Sequence, residues 1–152
     1  MKNFINKLGD VLTILLPVAS LPLVYFINGW VSTVFLLVVY IIGNLIVQLI
    51  KGVCDSPRPR ENKGDHVIYI HGYSHNDGES CCSGHAVSAA LPAYFVMFFI
   101  SPTWVFIPFF VLSCVCSWTR VYVKAHWILD VMLSNIIALN LNLLLAYILK
   151  VI

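Results

Sequence analysis

Charge is what this chain has least of. Of its 152 residues only 11% are Asp, Glu, Lys or Arg, while 60% are hydrophobic. A soluble domain carries about 25% charged residues, so a soluble globular class is excluded. The mean hydropathy of +0.88 points instead to an integral membrane protein. The formal net charge of +2 is too small to suggest a nucleic-acid partner. The basic residues cluster beside hydrophobic segments, which suits a membrane partner or an anionic substrate. Cysteine is present in odd number: Cys54, Cys81, Cys82, Cys114 and Cys116. At least one therefore lacks an intramolecular partner. Cys114 and Cys116 fall in an apolar segment and read as small buried hydrophobes, while a disulfide from Cys54 to Cys81 or Cys82 stays open. There is no internal repeat and no low-complexity tract. No small-x-small cleavage site ends the first apolar run, so the N-terminus reads as a retained span, not a signal peptide.

What is there is apolar helix. Segments run roughly Val11–Ile27, Val31–Ile50, Ala86–Ile100, Trp104–Trp118 and Trp127–Leu149. A span needs about 20 residues. The second and fifth segments meet that length. The first contains Pro17 and Pro22, which transmembrane helices tolerate. The third and fourth reach it only if their helices extend into flanking polar residues. The expectation is an all-α, multi-pass transmembrane bundle of about five spans, forming one domain over 1–152, with one long polar loop over 51–82. The turn at Asn28-Gly29 and the link Ser101-Pro102-Thr103 are tight, so the helices they join should be antiparallel. Val67–Ile70 in the loop fits a short strand or a segment resting on the bundle.

Three polar clusters interrupt the apolar pattern: Lys51 to Arg60, Ser83-Gly84-His85, and Arg120 to Asp130. Charge at membrane depth is expensive and is kept mainly where it functions. With five spans all three clusters fall on one membrane face. Lys51 also suits an ordinary basic membrane flank. Arg58 stands between Pro57 and Pro59, which restrict the backbone and aim a guanidinium whose fork suits phosphate oxygens. Ser83 suits a helix N-cap, and the helix N-terminus behind it offers N–H groups to an anion. Gly84 allows close backbone approach. His85 would then stand beside a bound anion as a proton donor. His126 and Asp130 are four apart, on one face if helical. A carboxylate beside a histidine fixes its tautomer and frees the other nitrogen. Arg120 adds a third cation. A zinc site from His66, His71 and His75 with Asp65, Asp77 and Cys81 is a rival, but H-x4-H-x3-H fits no strong metal signature. Lys124 reads as a flank charge.

Together these clusters resemble the type 2 phosphatidic acid phosphatase superfamily, whose signature is K-x6-R-P, P-S-G-H and S-R-x5-H-x3-D. Lys51 through Arg58-Pro59 matches the first block. Ser83-Gly84-His85 matches the second, with Cys82 where the family has proline. Arg120, His126 and Asp130 match the third, with Thr119 for serine. The resemblance implies a membrane phosphatase acting on a lipid phosphomonoester or diphosphate, of the polyprenyl diphosphate, phosphatidic acid or phosphatidylglycerophosphate type. It implies His126 as the nucleophile that becomes phosphohistidine, Asp130 as its orienting partner and His85 as the acid. Lys51, Arg58, Ser83, Gly84 and Arg120 would hold the phosphate, with no metal and no cofactor. Membrane members usually have six spans, so this chain is expected to lack one at the N-terminus. Five spans put eight of nine Lys/Arg on the site's face. The positive-inside rule then places that face in the cytoplasm, whereas the family's site usually faces outward. Two other classes compete: a vanadate-dependent haloperoxidase, which shares the pocket but is large and soluble, and a non-enzymatic channel or lipid-binding module that keeps the site.

Overall fold

The computed structural model describes residues 2–55, 58–59, 69–70 and 80–149. Four helices carry it: α1 (Lys2–Val53), α2 (Gly84–Phe99), α3 (Phe106–Tyr122) and α4 (Ile128–Ile148). The expected all-α architecture is therefore the one found. A single 3-10 turn, Thr103–Val105, follows the link between α2 and α3. The short strand expected near Ile70 exists as a two-residue pairing. Cys54–Asp55 runs antiparallel to Tyr69–Ile70, with Cys54 opposite Ile70.

The first helix is broken once, at Gly29, where φ is 80° and ψ is −177°. That backbone is open to glycine and closed to most other residues. Its two arms fold back on each other. Val24 and Leu36, on opposite sides of Gly29, share a cluster with Phe95, Val96 and Ile100. Leu12 and Leu16 pack with Ala89, and Val47 packs with Val87 and Ala90. The tight antiparallel turn expected at Asn28-Gly29 is thus present. Pro17 and Pro22 lie inside the first arm without ending it. Asn28 Nδ2 donates to the Phe99 carbonyl, which ties this turn to the end of α2.

α2 is the central helix, packed against α1, α3 and α4. Its sequence explains why. Ala86, Ala89 and Ala90 are fully buried, and small residues let backbones approach where lipid supplies no hydrophobic drive between helices. A Cβ on Gly43 would stand 2.6 Å from Leu91 Cδ1, so the second arm of α1 is held against α2 by the missing side chain. Polar groups link the helices inside. Ser88 Oγ donates to Asn44 Oδ1 at 2.7 Å, and Asn142 Nδ2 donates to the Leu91 carbonyl at 3.3 Å.

The outside is apolar. Phe26 is 83% exposed while Val24, two residues earlier, is fully buried. Trp30, Leu49, Trp104, Ile128 and Tyr147 are also exposed. Apolar surface on this scale is untenable in water and marks a membrane protein. α1 and α4 are long and apolar enough to cross a bilayer, whereas α2 and α3 are shorter apolar helices. Both short helices take in polar residues at one end. α2 opens on Gly84 and His85, and α3 runs on through Arg120 to Tyr122.

Candidate active site

The site is assembled at the end of the bundle opposite Gly29. Its most enclosed corner surrounds His126, which is 5% exposed. The sequence spacing suggested a helical pair with Asp130. His126 instead precedes α4, whose N-cap is Trp127 with an extended backbone (ψ 159°). The reason is local. α3 ends in a turn at Lys124, which has φ 60°, and the Arg120 carbonyl accepts from Ala125 N at 3.0 Å and His126 N at 3.3 Å. This turn brings Arg120 and His126 together despite the five intervening residues. Asp130 then sits in the first turn of α4, where its Oδ2 accepts from Trp127 N at 2.9 Å. A carboxylate there satisfies an orphan donor and meets the positive end of the helix dipole.

His126 Nδ1 lies 2.9 Å from the Ser80 carbonyl. A carbonyl only accepts, so Nδ1 carries the proton and Nε2 carries the lone pair. Asp130 Oδ2 stands 3.8 Å from the same Nδ1, at ion-pair range. Ser80 Oγ donates to Asp130 Oδ2, so one residue serves both members of the pair. Asp130 is 1% exposed. A carboxylate so buried needs such donors. The backbone holds the corner in place: Ser83 N donates to Ser134 Oγ at 2.8 Å, and Ser134 Oγ donates to the Asp130 carbonyl at 2.8 Å.

A second corner surrounds His85 and Arg120. Arg120 is 3% exposed and is held by α1. Its Nη1 donates to Asp10 Oδ1 at 3.0 Å, its Nη2 to the Asn6 carbonyl at 2.7 Å, and its Nε to Thr119 Oγ1 at 3.1 Å. Room for it comes from Gly9, where a Cβ would fall 2.0 Å from Arg120 Nη2. His85 Nε2 lies 3.0 Å from the same Asp10 Oδ1. The Arg120 carbonyl also accepts from His126 N at 3.3 Å, so the two corners adjoin.

Ser83 caps α2, its Oγ accepting from Ala86 N at 3.3 Å. The N-cap reading of Ser83 thus holds. In the first turn behind it, the Gly84 and His85 N–H groups have no intrahelical acceptor by position. A Cβ on Gly84 would meet no heavy atom within 4 Å, so the approach to these groups is open. Lys51 lies in the last turn of α1. Arg58 is part-buried, and its Nε is buried without an acceptor among the described residues. His66, His71, His75, Asp65, Asp77 and Pro57 lie outside the described residues.

A family model for the PAP2 superfamily matches residues 32–151. The chain belongs to the PAP2 superfamily. A search of curated proteins found no match. Among solved structures the chain is similar to "the first transmembrane PAP2 type phosphatidylglycerolphosphate phosphatase from Bacillus subtilis". The TM-score is 0.68 at 18% identity, over 98% of this chain and 76% of that one.

Within the PAP2 superfamily pattern, Cys82 replaces a proline, and the structure gives that exchange a consequence. Cys82 has φ 59°, a left-handed conformation that a proline ring, fixed near −65°, cannot reach. The Cys82 thiol is held below the usual range by a hydrogen bond with Cys81. Cys54 and Cys81 are in contact, and burial pushes the Cys54 thiol up. All five cysteines are free thiols. Cys116 is buried as expected, whereas Cys114 is exposed, because it faces outward from α3.

Three residues of this candidate site escaped the sequence reading: Ser80, Ser134 and Asp10. Ser80 and Ser134 are common polar residues with no periodic signal. Asp10 carried a signal. It is an isolated carboxylate at the start of an apolar run, the kind of charge beside a membrane span that calls for a partner.

Proposed function

We propose that this chain is a multi-pass membrane phosphatase hydrolysing a lipid phosphomonoester or diphosphate through a phosphohistidine on His126. The observation that carries the reading is the tautomer of His126. Its Nδ1–H is spent on the Ser80 carbonyl at 2.9 Å, which leaves the Nε2 lone pair for phosphorus. Asp130, at ion-pair range of that ring, offsets the positive charge that develops on it. His126 Nε2 forms the bond to phosphorus as the bond to the leaving oxygen breaks. The leaving oxygen takes a proton from His85. Neutral His85 then accepts a proton from water, whose oxygen displaces His126 and releases phosphate. Lys51, Arg58 and Arg120, with Ser83 and the Gly84 N–H, complement charge on the phosphoryl oxygens, which is the part a metal plays elsewhere.

The membrane arrangement supports a lipid substrate. In this reading the two arms of α1, with α2, α3 and α4, make five crossings. The Gly29 turn and the end of α2 lie at one face, and the polar clusters lie at the other. α2, with 16 residues, rises about 24 Å, and its polar first turn completes the crossing at the headgroup level. A site at that depth meets lipid headgroups directly.

The test is phosphate release from detergent-solubilised protein, offered phosphatidic acid, phosphatidylglycerophosphate and polyprenyl diphosphate. His126→Ala is expected to abolish release, and a chelator to leave the wild-type rate intact. Full activity in His126→Ala would overturn the mechanism.

A further inference from the structure

We infer that Asp10 is a positioning residue for the acid step, orienting His85 and holding Arg120 in register through one carboxylate oxygen. This rests on the proposed reaction and adds to it a residue outside the motif blocks and outside the matched segment 32–151.

Two independent site residues converge on one atom. Asp10 Oδ1 lies 3.0 Å from His85 Nε2 and 3.0 Å from Arg120 Nη1. The convergence is built into α1. Gly9 clears the volume that Arg120 occupies, and the Asn6 carbonyl, one turn before Asp10, takes the other guanidinium nitrogen at 2.7 Å. Thr13 Oγ1 donates to the Gly9 carbonyl at 2.9 Å and touches Cys116 Sγ at 3.5 Å. Asn6, Gly9, Asp10 and Thr13 recur at the helical spacing, so one face of α1 is shaped to the end of α3.

The chemistry follows from what a histidine acid needs. An imidazolium has two N–H donors. Asp10 accepts one, at Nε2, and so offsets part of what burial and the neighbouring Arg120 charge take from the doubly protonated ring. The other N–H, at Nδ1, is the proton available to the leaving oxygen. When that proton leaves, His85 stays hydrogen-bonded to Asp10 and is returned to the imidazolium by the incoming water. The site thus pairs each histidine with its own carboxylate: Asp130 beside the nucleophile, Asp10 on the acid.

The test compares Asp10→Asn with wild type on two substrates, dodecyl phosphate and p-nitrophenyl phosphate. An alkoxide needs a proton to leave, and a nitrophenolate does not. The expected result, read as the single-turnover rate of phosphohistidine formation, is a loss of about 10²-fold on dodecyl phosphate and less than about threefold on p-nitrophenyl phosphate, the range set by general acid catalysis. Asp10→Glu should restore part of the dodecyl phosphate rate. In a His85→Gln background, Asp10→Asn should cause no further loss on dodecyl phosphate. Equal loss on both substrates would mean that Asp10 only supports the fold, and would overturn the assignment. A lower KM with unchanged kcat on both would mean that the carboxylate merely competes with phosphate for Arg120, and would also overturn it. Release by wild type with Asp10→Asn unchanged removes only the Asp10 assignment, whereas no release by wild type from either substrate removes the phosphatase reading with it.

Discussion

The two histidine corners are built on opposite plans. Around His126 everything is enclosed: the ring is 5% exposed and Asp130 is 1% exposed. The donors and acceptors come from the turn before α2 and the start of α4. Around His85 the ring and its carboxylate are substantially open, at 39% and 47% of their side-chain surface. There the partner comes from α1, far away in sequence. A nucleophile must present one fixed lone pair, and a buried backbone carbonyl enforces the tautomer. An acid must exchange protons with water every turnover, and an open ring paired to an exposed carboxylate permits it. Burial separates the two proposed roles where residue type does not.

Breaking the enclosed corner should produce the largest effect. Asp130→Asn keeps the size of the side chain but replaces an acceptor that serves Ser80 and Trp127 N with an amide. It also removes the charge beside His126. Loss of the equivalent carboxylate in a hydrolytic triad costs about 10⁴-fold in kcat. A loss of about 10³-fold or more is expected here, measured as initial phosphate release. A loss under tenfold would show that the Ser80 carbonyl alone orients His126.

The turn joining the corners to the family pattern gives the next effect. Restoring the family's proline, as Cys82→Pro, should harm this chain. The proline ring demands φ near −65° where the backbone is at 59°, and Cys82 is fully buried. Destabilisation of about 3 kcal/mol is expected, read as a lowered midpoint of thermal unfolding in detergent. An unchanged midpoint would show that the turn can rearrange without cost.

These cases show where the sequence was legible. Motif spacing singled out His85, Arg120, His126 and Asp130, and the structure sets His126 beside Asp130 and both His85 and Arg120 on Asp10. Alternating apolar runs and tight turns revealed the helices and the Gly29 hairpin. Neither kind of signal reaches across the bundle. Nothing in the spacing H-x3-D tells that His126 stands before its helix, because an extended Trp127 and a left-handed Lys124 decide that. Nothing near Asp10 points to residues 85 and 120, because the contact exists only once α1 folds onto α2 and α3. A paired helix end is local information, whereas a shared carboxylate is tertiary.

Gly9→Ala tests the open corner without touching its chemistry. The added methyl would fall 2.0 Å from Arg120 Nη2 and 2.2 Å from Thr119 Oγ1. A guanidinium can shift where a backbone cannot, so Arg120 should move and loosen its bond to Asp10. Overpacking of this kind costs about 1–3 kcal/mol. The expected readout is a higher KM, since Arg120 is a phosphate ligand in the proposed reaction, with a smaller fall in kcat. A kcat effect that exceeds the KM effect would mean that the displacement reaches His126 through the turn at Ala125.

The smallest effect should come from Ser80→Ala, and it separates two contributions of one residue. The substitution removes the hydroxyl that donates to Asp130 Oδ2. It leaves the carbonyl that accepts from His126 Nδ1 at 2.9 Å. Asp130 keeps the Trp127 N–H at 2.9 Å, so its carboxylate is weakened but not abandoned. A hydrogen bond to a charged group contributes about 1.5–3 kcal/mol, and part of that loss falls on stability instead of the transition state. The expected drop in kcat is about tenfold, near 1.4 kcal/mol, far below that of Asp130→Asn. If Ser80→Ala matched Asp130→Asn, the hydroxyl and not the carbonyl would be what sets His126. The contrast between a backbone-fixed nucleophile and a side-chain-fixed acid would then fail at its enclosed end.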